Sequence, residues 1–117
     1  MAITSEIIGK LGGAGVEVIP VEGAASGNTG SSEVLATIDI PAGETWLVAA
    51  IGQVTGASSV SSRLPALQLG DVRIPSATPS QPHGLATIAS ETVSLTIERN
   101  YNAGADTFTG HVYTVKL

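Results

Sequence analysis

Thr92-Val93-Ser94-Leu95-Thr96-Ile97-Glu98 is the stretch that decides the fold class. Val93, Leu95 and Ile97 alternate with Thr92, Ser94, Thr96 and Glu98, so a period of two puts the apolar set on one face of a strand and the polar set on the other. Downstream, Asn100 to Ala105 reads as a loop into a last strand, Thr107 to Leu117, with apolar contacts from Phe108, Val112, Tyr113, Val115 and Leu117. Upstream, Leu85 to Ala89 is a weakly patterned strand. Leu64 to Leu69 and Val72 to Ile74 read as a hairpin around Gly70-Asp71, because glycine at the first of two loop residues suits a type II′ turn. Pro65 lacks an amide donor and is expected to push its strand toward a sheet edge.

Further toward the N-terminus, Thr45 to Val54 is apolar on both faces, with Trp46, Val48, Ala50 and Val54 on one and Leu47, Ala49 and Ile51 on the other. Such a run predicts a central strand covered on both sides. Glu33 to Ile40 alternates, with Val34, Ala36, Ile38 and Ile40 sharing a face, and the turn residues Pro41-Ala42-Gly43-Glu44 end it. Val16 to Val21 is the first strand. Glu22 to Ser32, rich in Gly, Ser and Ala, and Pro75 to Gly84, with three prolines, read as loops. Each is a plain connection or an arm laid on a neighbour. Seven or eight short strands at this spacing predict an all-β, antiparallel β-sandwich or jelly-roll-like domain over residues 14–117.

Residues 1–13 carry a different period. Ile3, Ile7, Ile8 and Leu11 recur at helical spacing behind Thr4 and Ser5, either of which can cap, and Gly12-Gly13 would stop the turn. This predicts a short N-terminal helix. Two turns are unstable alone, so the stripe is expected to dock, on its own domain or on a neighbouring subunit.

The whole chain, 117 residues, fits one domain. Gly, Ala, Ser and Thr supply 53 of those residues, which leaves a thin core of Val, Ile and Leu. With no cysteine to form a disulfide, oligomerisation is the remaining common source of stability. Charged residues are only 13%, so much of the surface is neutral and easily buried against a partner. The net charge is −5 and the basic residues, Lys10, Arg63, Arg73, Arg99 and Lys116, are scattered. Nucleic acid is therefore not an expected partner, since phosphate binding needs clustered cations and base stacking needs aromatic platforms. No apolar run approaches the ~20 residues of a membrane-spanning helix, and Met1 to Leu11 carries Glu6 without the basic start of a signal peptide.

A search for chemistry returns no assembled motif. Gly23-Ala24-Ala25-Ser26-Gly27 has the wrong spacing for a nucleophile elbow. Gly27-Asn28-Thr29-Gly30-Ser31-Ser32 lacks the lysine and the following helix of a phosphate loop. His83 and His111 have no second ligand at a metal-binding offset, and read as a loop residue and a sheet-surface residue. Asp39, Asp71 and Asp106 are far apart in sequence. No catalytic residue, metal or cofactor is expected, and the chain is not expected to be an enzyme. Trp46 starts the most apolar strand and is expected to fill the core. Tyr101, in a loop between two strong strands, is the aromatic best placed for an exposed contact.

Two segments carry a family resemblance: Ala2-Ile3-Thr4-Ser5-Glu6-Ile7-Ile8-Gly9-Lys10-Leu11-Gly12-Gly13 and Ile40-Pro41-Ala42-Gly43-Glu44-Thr45-Trp46-Leu47-Val48-Ala49. Together they resemble small virion proteins of actinobacterial tailed phages. The resemblance implies a structural part of the particle, assembled in the host cytoplasm: a minor tail protein, or a capsid decoration protein of the kind commonly built as a trimeric β-sandwich. Its partners would be copies of itself and other virion proteins, and it carries no catalytic residues over. The candidate interface residues are then Ile3, Ile7, Ile8, Leu11 and Tyr101. A rival reading is a glycan- or receptor-binding module at a tail tip or cell surface, which would use Tyr101 and the Pro75 to Gly84 loop.

Overall fold

The computed structural model describes residues 16–56, 58, 63–75 and 82–117. The expected helix over residues 1–13 lies outside them. The described chain forms eight strands: β1 (Val16–Ser26), β2 (Ser32–Ile38), β3 (Trp46–Thr55), β4 (Ala66–Leu69), β5 (Val72–Pro75), β6 (Pro82–Ala89), β7 (Val93–Glu98) and β8 (Ala105–Lys116). They make two antiparallel sheets, with strand orders β1-β8-β3-β6 and β2-β7-β4-β5. Among the described residues there is no α-helix.

The pairing follows one rule: β1 pairs with β8, β2 with β7, β3 with β6 and β4 with β5. The chain is one long hairpin, folded at the β4–β5 turn and rolled so that alternate pairs fall into different sheets. Gly70 opens that turn at φ +57°, the left-handed backbone that primed hairpin turns require. Pro65 sits just outside the hydrogen-bonded span of β4. It therefore does not exclude β4 from the sheet interior, and β5 takes the edge instead.

Alternation drives the burial. Val93, Leu95 and Ile97 of β7 face inward as expected, and meet Val48, Ala50 and Val54 of β3, Leu67 and Leu69 of β4, and Phe108 and Val112 of β8. Trp46 packs half-buried against this core, its indole N–H donating to Glu44 Oε1 at 3.1 Å. The core is thin enough that single atoms matter. A Cβ on Gly52 would lie 2.5 Å from the Phe108 ring, so this glycine makes the room that the one phenylalanine fills.

Three further expectations are corrected. Glu22 to Ser26 is strand, not loop: β1 continues to Ser26 in unbroken register with β8, and Ala25 is buried. Small residues suit it because Gly23 lies under Leu35, whose Cδ2 would sit 2.6 Å from a Cβ there. Val34 does not share a face with Ala36 and Ile38. A register shift between Val34 and Ala36 inserts one residue, which turns Val34 out to solvent while Leu35, Ala36 and Ile38 pack inward. Finally, Pro82 and His83 belong to β6, so His83 is a half-buried edge-strand residue opposite Gly52, not a loop residue.

Candidate protein-docking face

The outer face of the β1-β8-β3-β6 sheet is built from three cross-strand rows. Register places Val16, Val115, Leu47 and Ile88 in the first, Val18, Tyr113, Ala49 and Ala86 in the second, and Pro20, His111, Ile51 and Gly84 in the third. None of these twelve positions carries a formal charge with histidine neutral. Val18, Ile51 and Ile88 are 50%, 52% and 64% exposed, while Val115 is buried by its flanking side chains yet lies outside the core cluster. Val16, Leu47, Ala49, Ile51, Tyr113 and Val115 line an apolar groove. The His111 ring packs beside Tyr113 at 6.1 Å between centroids.

β3 was expected to be covered on both faces. Its Val48, Ala50 and Val54 side is fully covered by the core, but on the other side Leu47 and Ala49 are only partly buried and Ile51 is exposed. The β3 strand is central in its sheet, as expected, between β8 and β6. Toward the far end of the sheet the rows turn polar, with Glu22, Thr109 and Gln53 aligned beside Pro82.

The opposite outer face, on the β2-β7-β4-β5 sheet, has another chemistry. Val34, Thr96, Gln68 and Arg73 form one row, Thr37 and Ser94 another, and Arg73 pairs with Glu98 across the strands. An open polar groove beside it is lined by Gln68, Asp71, Thr87, Ser90, Thr92 and Ser94.

The loop end is pinned by a group that has no signature in the sequence. Arg99, at the end of β7, is fully buried and its Nε–H donates to Asp106 Oδ2 of β8 at 3.0 Å. Its Nη1 donates to the carbonyls of Gly27 and Gly104, and its Nη2 to that of Ala103. One guanidinium thus ties the β1–β2 and β7–β8 loops together and joins the two sheets. Such a group is a structural staple, since its donors are spent on carbonyl and carboxylate oxygens.

Of the expected interface residues, Ile3, Ile7, Ile8 and Leu11 lie outside the described residues. Tyr101 is half-buried in the β7–β8 loop, with the Arg63 guanidinium 5.1 Å from its ring centroid. It is a cation–π partner within the domain. It does not join the apolar rows, whose members are all on sheet positions. Among the described residues no three His, Asp or Glu side chains gather as metal ligands would. The residues that sequence reasoning did not select are Val18, Ile51, Ile88 and Arg99. Of these, Ile51 carried a signal, because β3 is apolar on both faces, while Val18 and Ile88 join it only through the register of β1 and β6. Compared with known proteins, this chain matches no protein-family model and no curated sequence.

Proposed function

We propose that this chain is a non-enzymatic structural subunit that works by laying the outer face of its β1-β8-β3-β6 sheet against protein. The observation that carries the reading is the contrast between the two outer faces, one with three uncharged, mainly apolar rows and one with hydroxyls and an ion pair. A contiguous apolar patch on a small domain marks a contact surface. A tailed-phage virion is the assembly proposed, as a minor tail or capsid decoration protein, with a trimer as its state on the particle. The strand order supports it at the level of fold, because 1-8-3-6 opposite 2-7-4-5 is a rolled sandwich of the jelly-roll type, used by viral capsid domains.

Lectins share that architecture, and the hydroxyl-lined groove beside β6 and β7 gives the glycan-binding rival its site. A glycan array separates the two, with saturable sugar binding favouring the rival. The direct test is sedimentation of the full chain, alone and mixed with particles assembled without it. Association above the 11.7 kDa monomer is expected, and Leu47→Asp or Ile51→Asp is expected to abolish it while the β-sheet spectrum is kept. Association that survives both substitutions overturns the reading.

A further inference from the structure

The two sheets have four edge strands, and they are not alike. Edge strands carry unpaired N–H and C=O groups, which proteins guard with charge, proline, bulges or shortness. β1 holds Glu17, Glu22 and an interior Pro20, β2 holds Glu33 and the register shift at Val34 to Ala36, and β5 is four residues long with Arg73 and Pro75. β6 has none of these guards. Its eight residues include no Asp, Glu, Lys or Arg, its proline stands at the first position where a strand tolerates one, and its register with β3 is unbroken. Among the described residues no strand lies beyond it. We infer that β6 pairs antiparallel with β6 of a second copy, joining two β1-β8-β3-β6 sheets into one of eight strands. The inference rests on the docking-face reading and names the contact that enlarges that face.

A second copy fits because the strand is complementary to itself. A two-fold axis normal to the sheet keeps both outward faces on one side, and centring it on Ala86 sets Gly84 of each copy opposite Ile88 of the other. A Cβ on Gly84 would lie 3.8 Å from Ile51 Cγ1, so Ile51 stands beside the bare glycine. Ile88 of the second copy closes over that gap, and two side chains left 52% and 64% exposed in the single subunit cover each other. In this register every apolar row continues across the junction. Leu47 and Ile88 of one copy run on into Gly84 and Ile51 of the other, while Ala49 and Ala86 run on into Ala86 and Ala49. Centring on Leu85 instead sets Ile88 opposite Pro82 and shifts the rows out of line. The joined rows span about 34 Å across eight strands and about 14 Å along them, on the order of 450 Å² between strand axes, against on the order of 200 Å² for one subunit. That brings the face toward the roughly 800 Å² per partner of a stable interface. Being two-fold, the contact joins neighbouring trimers of the proposed assembly and not subunits within one.

The chain has no cysteine, so a single introduced one reports contact between copies without background. Ala86→Cys, oxidised in the full chain, is expected to form a disulfide between two copies. Glu17→Cys and Arg73→Cys, on the β1 and β5 edges, are expected to give less than a tenth as much. Mixing Gly84→Cys with Ile88→Cys tests the register, and the mixed bond should form at least tenfold faster than either bond of like with like. Ala86→Lys sets two ammonium groups against each other at the axis and should raise the dissociation constant in sedimentation at least tenfold with the β-sheet spectrum kept. No bond at Ala86→Cys, or equal bonding at Glu17→Cys, overturns the pairing. If that happens while Leu47→Asp still abolishes association, the docking face stands with another contact. A bond at Ala86→Cys together with association that Leu47→Asp leaves unchanged overturns the docking-face reading and leaves the edge pair.

Discussion

The two outer faces of this domain share one core and one set of pairing rules, yet they prepare for different surroundings. On the β2-β7-β4-β5 sheet, positions facing away from the core hold Thr37, Ser94, Thr96, Gln68 and the Arg73–Glu98 pair, all at ease in water, with Val34 the one large apolar side chain among them. On the β1-β8-β3-β6 sheet the equivalent positions hold Val16, Val18, Leu47, Ile51, Ile88 and Tyr113. The difference teaches that an antiparallel strand can be apolar on both faces while the sandwich covers only one of them. A thin core sharpens the point. A chain with few large apolar side chains places several of its largest on a face that its own sandwich leaves open.

The comparison holds only while both sheets stay joined, and Arg99 is where that can be broken with the largest effect. Arg99→Met leaves Asp106 buried without its cation and frees the carbonyls of Gly27, Ala103 and Gly104. Removing one partner of a buried pair costs about 3–5 kcal/mol, a large share of the stability of a domain this small. Urea unfolding should show the loss. The double variant Arg99→Met/Asp106→Leu should recover part of it, because no unpaired charge remains. A loss under about 1 kcal/mol for the single variant would mean that the sheets are held by apolar packing alone.

A sharper cut compares like substitutions on the two faces. Leu47→Asp and Thr96→Asp both put a carboxylate on an outward position of an interior strand. Thr96→Asp is expected to change stability by no more than about 0.5 kcal/mol and association not at all. Leu47→Asp is expected to weaken association at least tenfold, about 1.4 kcal/mol, with a smaller effect on folding. Equal behaviour of the two variants in sedimentation would erase the distinction between the faces.

How far the sequence reveals this design depends on how local each signal is. Thr92 to Glu98 is legible because one covered face and one wet face force strict alternation, and the inward set lands where expected. Gly70-Asp71 is legible because a positive φ has few tolerant residues. Glu22 to Ser26 reads as loop because its Gly, Ala and Ser content is that of a turn. Its strand character comes from pairing with Ala105 to Thr109 and from Leu35 overhead, partners distant in sequence. The bulge at Val34 to Ala36 is hidden for a similar reason, since the apolar run of three, Val34-Leu35-Ala36, fits either parity. Arg99 gives no local hint, as its burial depends on carbonyls from two loops. The outward apolar face was half legible: the two-faced apolar run of β3 marks its centre, while the contributions of β1 and β6 come only from pairing.

The smallest effect tests the loop end, where sequence reasoning placed an exposed contact. Tyr101 faces Arg63 at 5.1 Å, and such a pair at a partly exposed site contributes about 0.5–1 kcal/mol. Tyr101→Ala should therefore lower stability by that amount in urea unfolding. It should leave sedimentation as in the parent, because the ring lies in the β7–β8 loop and outside the three apolar rows. Tyr101→Phe should keep most of the stability, since the ring face and not the hydroxyl meets the guanidinium. Were Tyr101→Ala to weaken association as strongly as Leu47→Asp, the contact surface would extend to the loop end, and the contrast between the two sheet faces would no longer be what selects the partner.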